Sequence, residues 1–99
     1  MNWFLYIVEC DDKTLYTGIT TDVKRRLFEH NNDNLRGARS TRYKRPVKLV
    51  YVEDVETQSK ARIRENQIKN WKRKDKIKLI KRNNPAYRAG SSIGRASPS

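Results

Sequence analysis

Two short apolar runs separated by a polar turn constrain the fold more than any other feature of this sequence. Residues 3–10 (WFLYIVEC) and 14–19 (TLYTGI) are rich in the aromatic and β-branched side chains that favour β-strands. Because only the polar triplet DDK separates them, the two runs predict an antiparallel hairpin. Side chains alternate between the two faces of a strand, so Tyr16 and Gly18 share one face. Tyr6 joins them if the register of the hairpin permits.

The rest of the chain predicts helices and one further strand. Thr20, Thr21 and Asp22 are N-cap candidates for a helix of about ten residues. The later apolar patterns predict a strand over 47–53 and helices over 57–71 and 75–82. The predicted fold class is therefore α+β, a small three-stranded antiparallel sheet flanked by about three helices in the order ββαβαα. We expect one domain over 1–87, with the Gly/Ser-rich residues 88–99 forming a disordered tail.

The charge of the chain is large and unevenly distributed. Lys and Arg number 23 against 11 Asp and Glu, which gives a formal net charge of +12. Residues 1–35 carry four basic and six acidic side chains, whereas residues 36–99 carry nineteen basic and five acidic ones. Such segregation favours a polyanionic partner, most often nucleic acid, over a merely solvated basic surface. No membrane partner is expected, since no apolar stretch approaches the ~20 residues of a spanning helix.

The cysteine content and the N-terminal residues predict a cytoplasmic location. The single cysteine, Cys10, lies in an apolar run and cannot form an internal disulfide. The first residues, MNWFLYIVEC, lack the basic region and the small-residue cleavage site of a signal peptide.

The hairpin and the residues that follow it resemble the GIY-YIG nuclease domain, in particular its small stand-alone bacterial members related to Slx-type nucleases. The resemblance covers about residues 3–87. The segment Phe4-Leu5-Tyr6 corresponds to the first motif and keeps only its tyrosine, while Tyr16-Thr17-Gly18 corresponds to the second and keeps its tyrosine and glycine. The other matching positions are the catalytic arginine, a polar companion one turn later, the metal-binding glutamate and a late asparagine, which correspond to Arg26, His30, Glu65 and Asn84.

The resemblance implies a metal-dependent endonuclease that hydrolyses DNA, with Mg²⁺ or Mn²⁺ as cofactor, in repair or recombination. Either tyrosine could take a proton from the attacking water; by analogy Tyr6 is favoured as the base and Tyr16 as the group that orients water or phosphate. A tyrosine has an ordinary pKa of about 10, so we expect Arg26 and the metal ion to lower it. Arg26 would also bind the phosphate, and Glu65 would hold the metal. His30 and Asn84 would contact or support the substrate.

Each of these side chains also has an ordinary structural interpretation. Strand tyrosines commonly fill a core, and Gly18 could simply end a strand. Arg25 is expected to pair with Glu29 on the surface of the first helix, which favours Arg26 as the phosphate ligand. His30 could cap the last carbonyls of its helix, and Asn84 could cap the third. Glu65 could pair with Arg62 or Lys69, and the rival metal ligands are Asp11, Asp12 and Asp22.

A basic segment before the third strand is the predicted DNA contact. Its cations would clamp the phosphate backbone, Thr41 would add a neutral contact, and Gly18 would allow close approach of a phosphate; the cations are Arg36, Arg39, Arg42, Lys44 and Arg45. Backbone contacts read charge and shape, so branched, flapped or single-stranded DNA is the expected substrate. The alternatives are a non-catalytic nucleic-acid-binding module and an RNA- or ribosome-associated protein. A partner protein for targeting is possible, and the sequence leaves the oligomeric state open.

Overall fold

A computed structural model describes residues 2–32, 44–84 and 86–87 of the chain. The elements, in chain order, are β1 (Trp3–Glu9), β2 (Leu15–Thr20), α1 (Val23–Asn32), β3 (Lys48–Val55), α2 (Gln58–Lys69) and α3 (Arg73–Asn83). The predicted order ββαβαα and the α+β class are therefore confirmed. Among the predicted DNA contacts, Arg36, Arg39, Thr41 and Arg42 lie outside the described residues, as do residues 88–99.

The three strands form one antiparallel sheet in the order β2-β1-β3, so β1 is central. In the register of β1 and β2, Tyr6 lies opposite Gly18 and Val8 lies opposite Tyr16. Residues that face each other across a ladder point to the same side of the sheet. Tyr16 and Gly18 therefore share one face, as predicted, and the register brings Tyr6 to the same face. We call this side of the sheet the tyrosine face.

The two faces of β1 are covered by different helices. On the tyrosine face, Tyr6, Val8 and Cys10 form a buried cluster against which Leu27 of α1 packs. On the other side, which we call the core face, Leu5 and Ile7 pack with residues of α2 and α3, namely Ile68, Leu79 and Ile80. The sheet thus separates α1 from α2 and α3, as expected when each apolar face of a sheet needs a covering layer.

Local capping explains where two of the helices begin. The Asp22 side chain accepts a hydrogen bond from the backbone N–H of Arg25 at 3.0 Å, and the Thr57 hydroxyl accepts one from that of Lys60 at 3.1 Å. Both residues are thus N-caps, and Thr57 precedes α2 instead of being its first residue. The third helix begins at Arg73, two residues before the predicted start, after Lys72 in an extended conformation.

Candidate active site

A close contact between Gly18 and Tyr6 fixes the floor of the site. A Cβ atom built on Gly18 would lie 2.5 Å from the Tyr6 hydroxyl oxygen and 2.7 Å from its Cζ atom. No side chain larger than hydrogen fits there, because such distances are well below van der Waals contact. Gly18 is therefore required for the position of the Tyr6 ring, a structural reason for glycine that strand termination alone does not give.

The Tyr6 hydroxyl forms a buried hydrogen bond with the only histidine of the chain. Its oxygen lies 2.8 Å from His30 Nε2, and the two side chains are 2% and 0% exposed. Tyr16 completes an aromatic group, with its ring centroid 5.2 Å from that of His30 and 6.4 Å from that of Tyr6. The His30 ring therefore points into the site, with Nε2 at the Tyr6 hydroxyl.

The surroundings of His30 keep its imidazole neutral. Burial, followed by the positive charges of Arg26 and Arg45, lowers the pKa of His30 to about 4, although Glu29 acts in the opposite direction. Arg45 Nε donates a hydrogen bond of 2.6 Å to the backbone oxygen of His30. Arg45 was predicted as a DNA contact, and the structure places it against the last turn of α1, where it anchors the histidine. A neutral imidazole can accept a proton on one nitrogen while donating from the other.

Tyr6 itself remains protonated at neutral pH. Burial and the neighbouring Tyr16 raise the pKa of Tyr6 to about 12, and the hydrogen bond and positive charge of Arg26 offset only part of that increase. Arg26 thus lowers the pKa of Tyr6, as expected, but burial outweighs this effect in the protein alone. Removal of the phenolic proton needs an acceptor beside the oxygen, and His30 Nε2 occupies that position.

Glu29, which was expected to pair with Arg25, holds Arg26 in place. The Arg26 guanidinium lies 3.0 Å from a Glu29 carboxylate oxygen, whereas Arg25 Nε lies 3.8 Å from the other oxygen. The Arg25 side chain is 60% exposed and that of Arg26 only 24%, so the two arginines differ as predicted, but Glu29 pairs more closely with Arg26. Although burial opposes the charged form, hydrogen bonds to Glu29 and Tyr6 raise the pKa of Arg26 above its ordinary value.

Glu65 is a buried carboxylate on the helix that crosses β1 and β2. It is 9% exposed, and its charge acts electrostatically on Tyr6. Lys69, one turn later, lies 3.3 Å from a Glu65 oxygen with its own side chain 49% exposed. The predicted ion pair with Lys69 is thus present. A buried carboxylate needs such a partner or a bound cation, because an unpaired buried charge is costly.

The described residues contain no cluster of three or more His, Cys, Asp or Glu that could hold a metal ion. Mg²⁺ commonly keeps several waters and uses one or two carboxylates, so Glu65 alone fits it as a protein ligand. Asp12, one of the rival ligands, accepts hydrogen bonds from the hydroxyl and the backbone N–H of Thr14, at the tip of the hairpin. Asp22 is occupied as the N-cap of α1.

Two further predicted residues lie apart from this group. Asn84 ends α3, where its backbone N–H donates to Ile80, and it lines a cavity together with Glu9 and Tyr87. Glu9 alternates with Val8 along β1 and so belongs to the core face. A role of Asn84 in the site therefore remains a prediction without support from proximity. Lys44 lies at the hairpin tip, 3.5 Å from an Asp12 oxygen.

Sequence reasoning did not assign Glu29 and Arg45 their positions beside the site. Glu29 follows Arg26 by three residues, a spacing that also permits an ion pair on a helix. That spacing could have identified it. No local signal could have identified Arg45, because its contact with His30 joins residues fifteen positions apart.

Three features together define a class of protein. They are the small antiparallel sheet, the packing of Gly18 against Tyr6, and the cluster of Tyr6, His30 and Arg26 near the buried Glu65. A family model described as the GIY-YIG catalytic domain matches residues 2–78. The chain therefore belongs to the GIY-YIG family. This domain is a nuclease domain, and nucleases of the family generally use divalent metal ions.

Individual relatives agree with that assignment. A UPF0213 protein of Syntrophus aciditrophicus is 50% identical over 80 residues, which cover 81% of this chain and 91% of the relative. A UPF0213 protein of Desulfotalea psychrophila is 48% identical over 87 residues, which cover 88% of this chain and 78% of the relative. The solution NMR structure of a UPF0213 protein from Bacillus halodurans matches with a TM-score of 0.57 at 33% identity and covers 95% of this chain and 98% of its own. The solution NMR structure of a protein from E. faecalis matches with a TM-score of 0.59 at 36% identity and covers 89% of this chain and 92% of its own.

Proposed function

We propose that the protein is a divalent-metal-dependent endonuclease that hydrolyses phosphodiester bonds of DNA and selects DNA structure over sequence. The observation that carries this proposal is the buried 2.8 Å hydrogen bond between Tyr6 and neutral His30, with Arg26 beside it. A buried tyrosine hydroxyl needs a hydrogen-bond partner, and here that partner is a neutral imidazole with a guanidinium next to the same oxygen. Hydrolysis of a phosphodiester needs both a proton acceptor and a cation at the phosphate.

The proton acceptor in this proposal is the Tyr6–His30 pair acting together. In the tautomer of His30 with its proton on Nδ1, the lone pair of Nε2 accepts the hydrogen bond of the Tyr6 hydroxyl and can accept its proton. The Tyr6 oxygen then takes a proton from the attacking water as it passes its own proton to Nε2. This relay removes the need for a free phenolate, which a pKa of about 12 makes rare at neutral pH. A pKa of about 4 makes His30 a weak base in the protein alone, so in this proposal the negative charge of the bound phosphate raises that pKa.

Arg26 and Tyr16 are proposed to bind and orient the substrate. The guanidinium of Arg26 can donate two parallel hydrogen bonds to phosphate oxygens and offset the charge that develops on them. Glu29 keeps that guanidinium beside Tyr6 before substrate arrives, and phosphate oxygens would compete with the carboxylate for the same donors. The ring of Tyr16, at 5.2 Å from that of His30, limits the space for the attacking water.

Glu65 is the proposed metal ligand, with Mg²⁺ or Mn²⁺ as the ion. When bound, a divalent ion supplies Lewis acidity at the phosphate and increases the acidity of a bound water. The carboxylate of Glu65 holds a negative charge close to Tyr6, in a position that burial shields from bulk solvent. Lys69 stabilises this charge in the absence of a cation.

The proposed substrate is branched, flapped or single-stranded DNA in repair or recombination, within the cytoplasm. The described residues form three short helices and one small sheet, and the excess of Lys and Arg suits contacts with phosphates, which carry no sequence information. We include the predicted contacts at Gly18, at Lys44 and in residues 36–45 in this proposal, with a partner protein as a possible source of targeting. Within the described residues, no helix is long and apolar enough to cross a membrane.

The test is cleavage of end-labelled single-stranded, duplex, flapped and four-way-junction DNA in the presence of Mg²⁺ or Mn²⁺. Wild type should cut at least one of them, and EDTA or Glu65→Gln should abolish cutting. Lys69→Gln is the matched control, because it removes the ion-pair partner and keeps the carboxylate. Binding of every substrate without cleavage would favour the alternative, a non-catalytic nucleic-acid-binding module. Cleavage that survives Glu65→Gln would refute the ligand assignment.

A further inference from the structure

A cavity of about 310 Å³ lies beside α3, away from the candidate active site. It is lined by Trp71, Asp75, Lys78, Leu79 and Arg82, and we call it the α3 groove. The last four residues recur at spacings of three and four along α3, so one face of that helix forms one wall. Trp71 lies in the short connection between α2 and α3 and packs partly against the core.

The groove combines apolar surface with positive charge. Trp71 and Leu79 provide the apolar part, while Lys78 and Arg82 are exposed cations one helical turn apart. The guanidinium of Arg64 lies 5.5 Å from the centre of the Trp71 ring, but it is paired with Glu53 at 3.0 Å, so Lys78 and Arg82 are the cations that the groove offers to a ligand. Asp75 lies in the first turn of α3, where a carboxylate stabilises the helix dipole.

This combination fits a ligand in which a flat apolar group is joined to an anion. Proteins that bind single-stranded nucleic acid without reading its sequence use such a combination, with aromatic side chains against bases and Lys or Arg along the phosphates. The surrounding helix supports the same ligand, since α3 carries six basic residues and one acidic residue among eleven. A neutral small molecule would not account for that charge.

The groove and the Tyr6–His30 pair lie on opposite sides of the sheet, while Glu65 belongs to α2, which ends two residues before Trp71 of the groove. Leu79 and Ile80 of α3 pack with Leu5 and Ile7 on the core face, whereas Tyr6 lies on the tyrosine face. A DNA segment that contacts both Tyr6 and the groove must pass around the sheet, whereas a substrate with two arms or a displaced strand offers a separate segment to each.

We infer that the α3 groove binds single-stranded DNA, with a base against Trp71 and the neighbouring phosphates on Lys78 and Arg82. The inference rests on the proposed function only for the choice of DNA as the polyanion. It gives the protein a second contact for the displaced strand of a branched substrate, and so a physical basis for selecting DNA structure.

The experiment uses tryptophan fluorescence, because the chain contains only Trp3 and Trp71. In a Trp3→Phe variant Trp71 is the sole tryptophan, and it is titrated with a short oligo(dT) in EDTA at low salt. A saturable loss of emission is expected with oligo(dT). An abasic oligonucleotide of equal length and charge is expected to bind more weakly and leave the emission nearly unchanged.

Two sets of variants separate the groove from general electrostatics. Trp71→Leu should weaken oligo(dT) binding by about five- to hundredfold, as expected for the loss of one base–aromatic stack. The double substitution Lys78→Gln and Arg82→Gln should weaken it more than the matched change of Lys74 and Lys81 to Gln. The latter pair lies on the same helix but does not line the groove. Circular dichroism and melting temperature check that each variant is folded.

Several results would overturn the inference. Equal quenching by the abasic oligonucleotide or by poly-glutamate would show that Trp71 responds to charge alone, or to an acidic protein segment. Oligo(dT) binding detected by anisotropy with unchanged Trp71 emission would place the strand elsewhere. Neither readout depends on cleavage. Quenching without cleavage would therefore refute only the nuclease proposal, and cleavage without quenching would refute only the groove.

Discussion

The single histidine gives the Tyr6–His30 pair a stability signature that depends on pH. His30 is fully buried and its pKa is lowered to about 4, whereas an unfolded chain restores the ordinary value near 6.5. As pH falls from about 6.5 to about 4, the unfolded chain takes up the proton first, so the folded state loses stability over that range. At 1.36 kcal/mol per pH unit, the total loss of unfolding free energy is roughly 3 kcal/mol. Above pH 6.5 the histidine adds no pH dependence.

Urea unfolding of wild type and His30→Gln at pH 7.5 and pH 4.5 measures this effect. Glutamine does not titrate, while every carboxylate titrates in both proteins, so the difference between the two proteins isolates the histidine. Between the two pH values, wild type should lose most of the roughly 3 kcal/mol in addition to whatever the variant loses. Proton NMR of the imidazole gives an independent value, because the chain has one histidine.

Parallel losses of stability in the two proteins would refute the reasoning. A histidine signal that titrates near 6.5 would do the same, because it would mean that the ring reaches solvent. The relay through Nε2 would then lose its structural basis, since an exposed imidazole would not be held against the Tyr6 hydroxyl.

Two further predictions follow from contacts in the site. Gly18→Ala should cost about 1–3 kcal/mol of unfolding free energy, as is typical of overpacking, because its Cβ would lie 2.5 Å from the Tyr6 oxygen. The same displacement of Tyr6 should abolish cleavage. A variant with the melting temperature and activity of wild type would contradict this contact. Arg26→Gln should reduce the single-turnover cleavage rate by about a hundredfold or more, as when a preorganised donor is removed. Arg25→Gln, on the exposed side of Glu29, should change it little, and equal losses in the two would show that only helix charge matters.

Sequence reasoning succeeded where local patterns determine structure. The hairpin follows from two β-type runs and a three-residue turn. Period-two alternation placed Tyr16 and Gly18 on one face, and the register of the hairpin, which the sequence left open, brings Tyr6 to the same face. Helix caps such as Asp22 follow from short-range chemistry in the same way. These features depend on residues within a few positions of one another.

The sequence did not predict the features that depend on burial or on contacts between distant residues. The rise in the pKa of Tyr6 results chiefly from desolvation, which depends on how α1 packs over the sheet. Arg45 meets the His30 carbonyl across fifteen residues, so its sequence position suggested only a surface cation. The Glu65–Lys69 ion pair was one of two alternatives for Glu65. In the structure Glu65 both pairs with Lys69 and acts electrostatically on Tyr6.

The most direct test of the central claim is the single-turnover cleavage rate of Tyr6→Phe on the best DNA substrate, with Tyr16→Phe measured alongside. The substitution keeps the ring that packs against Gly18 and removes only the oxygen that bonds His30. The account predicts an unchanged fold, unchanged DNA binding and a rate about 10²- to 10⁴-fold lower, the usual contribution of a general base. Cleavage by Tyr6→Phe at the wild-type rate would contradict it.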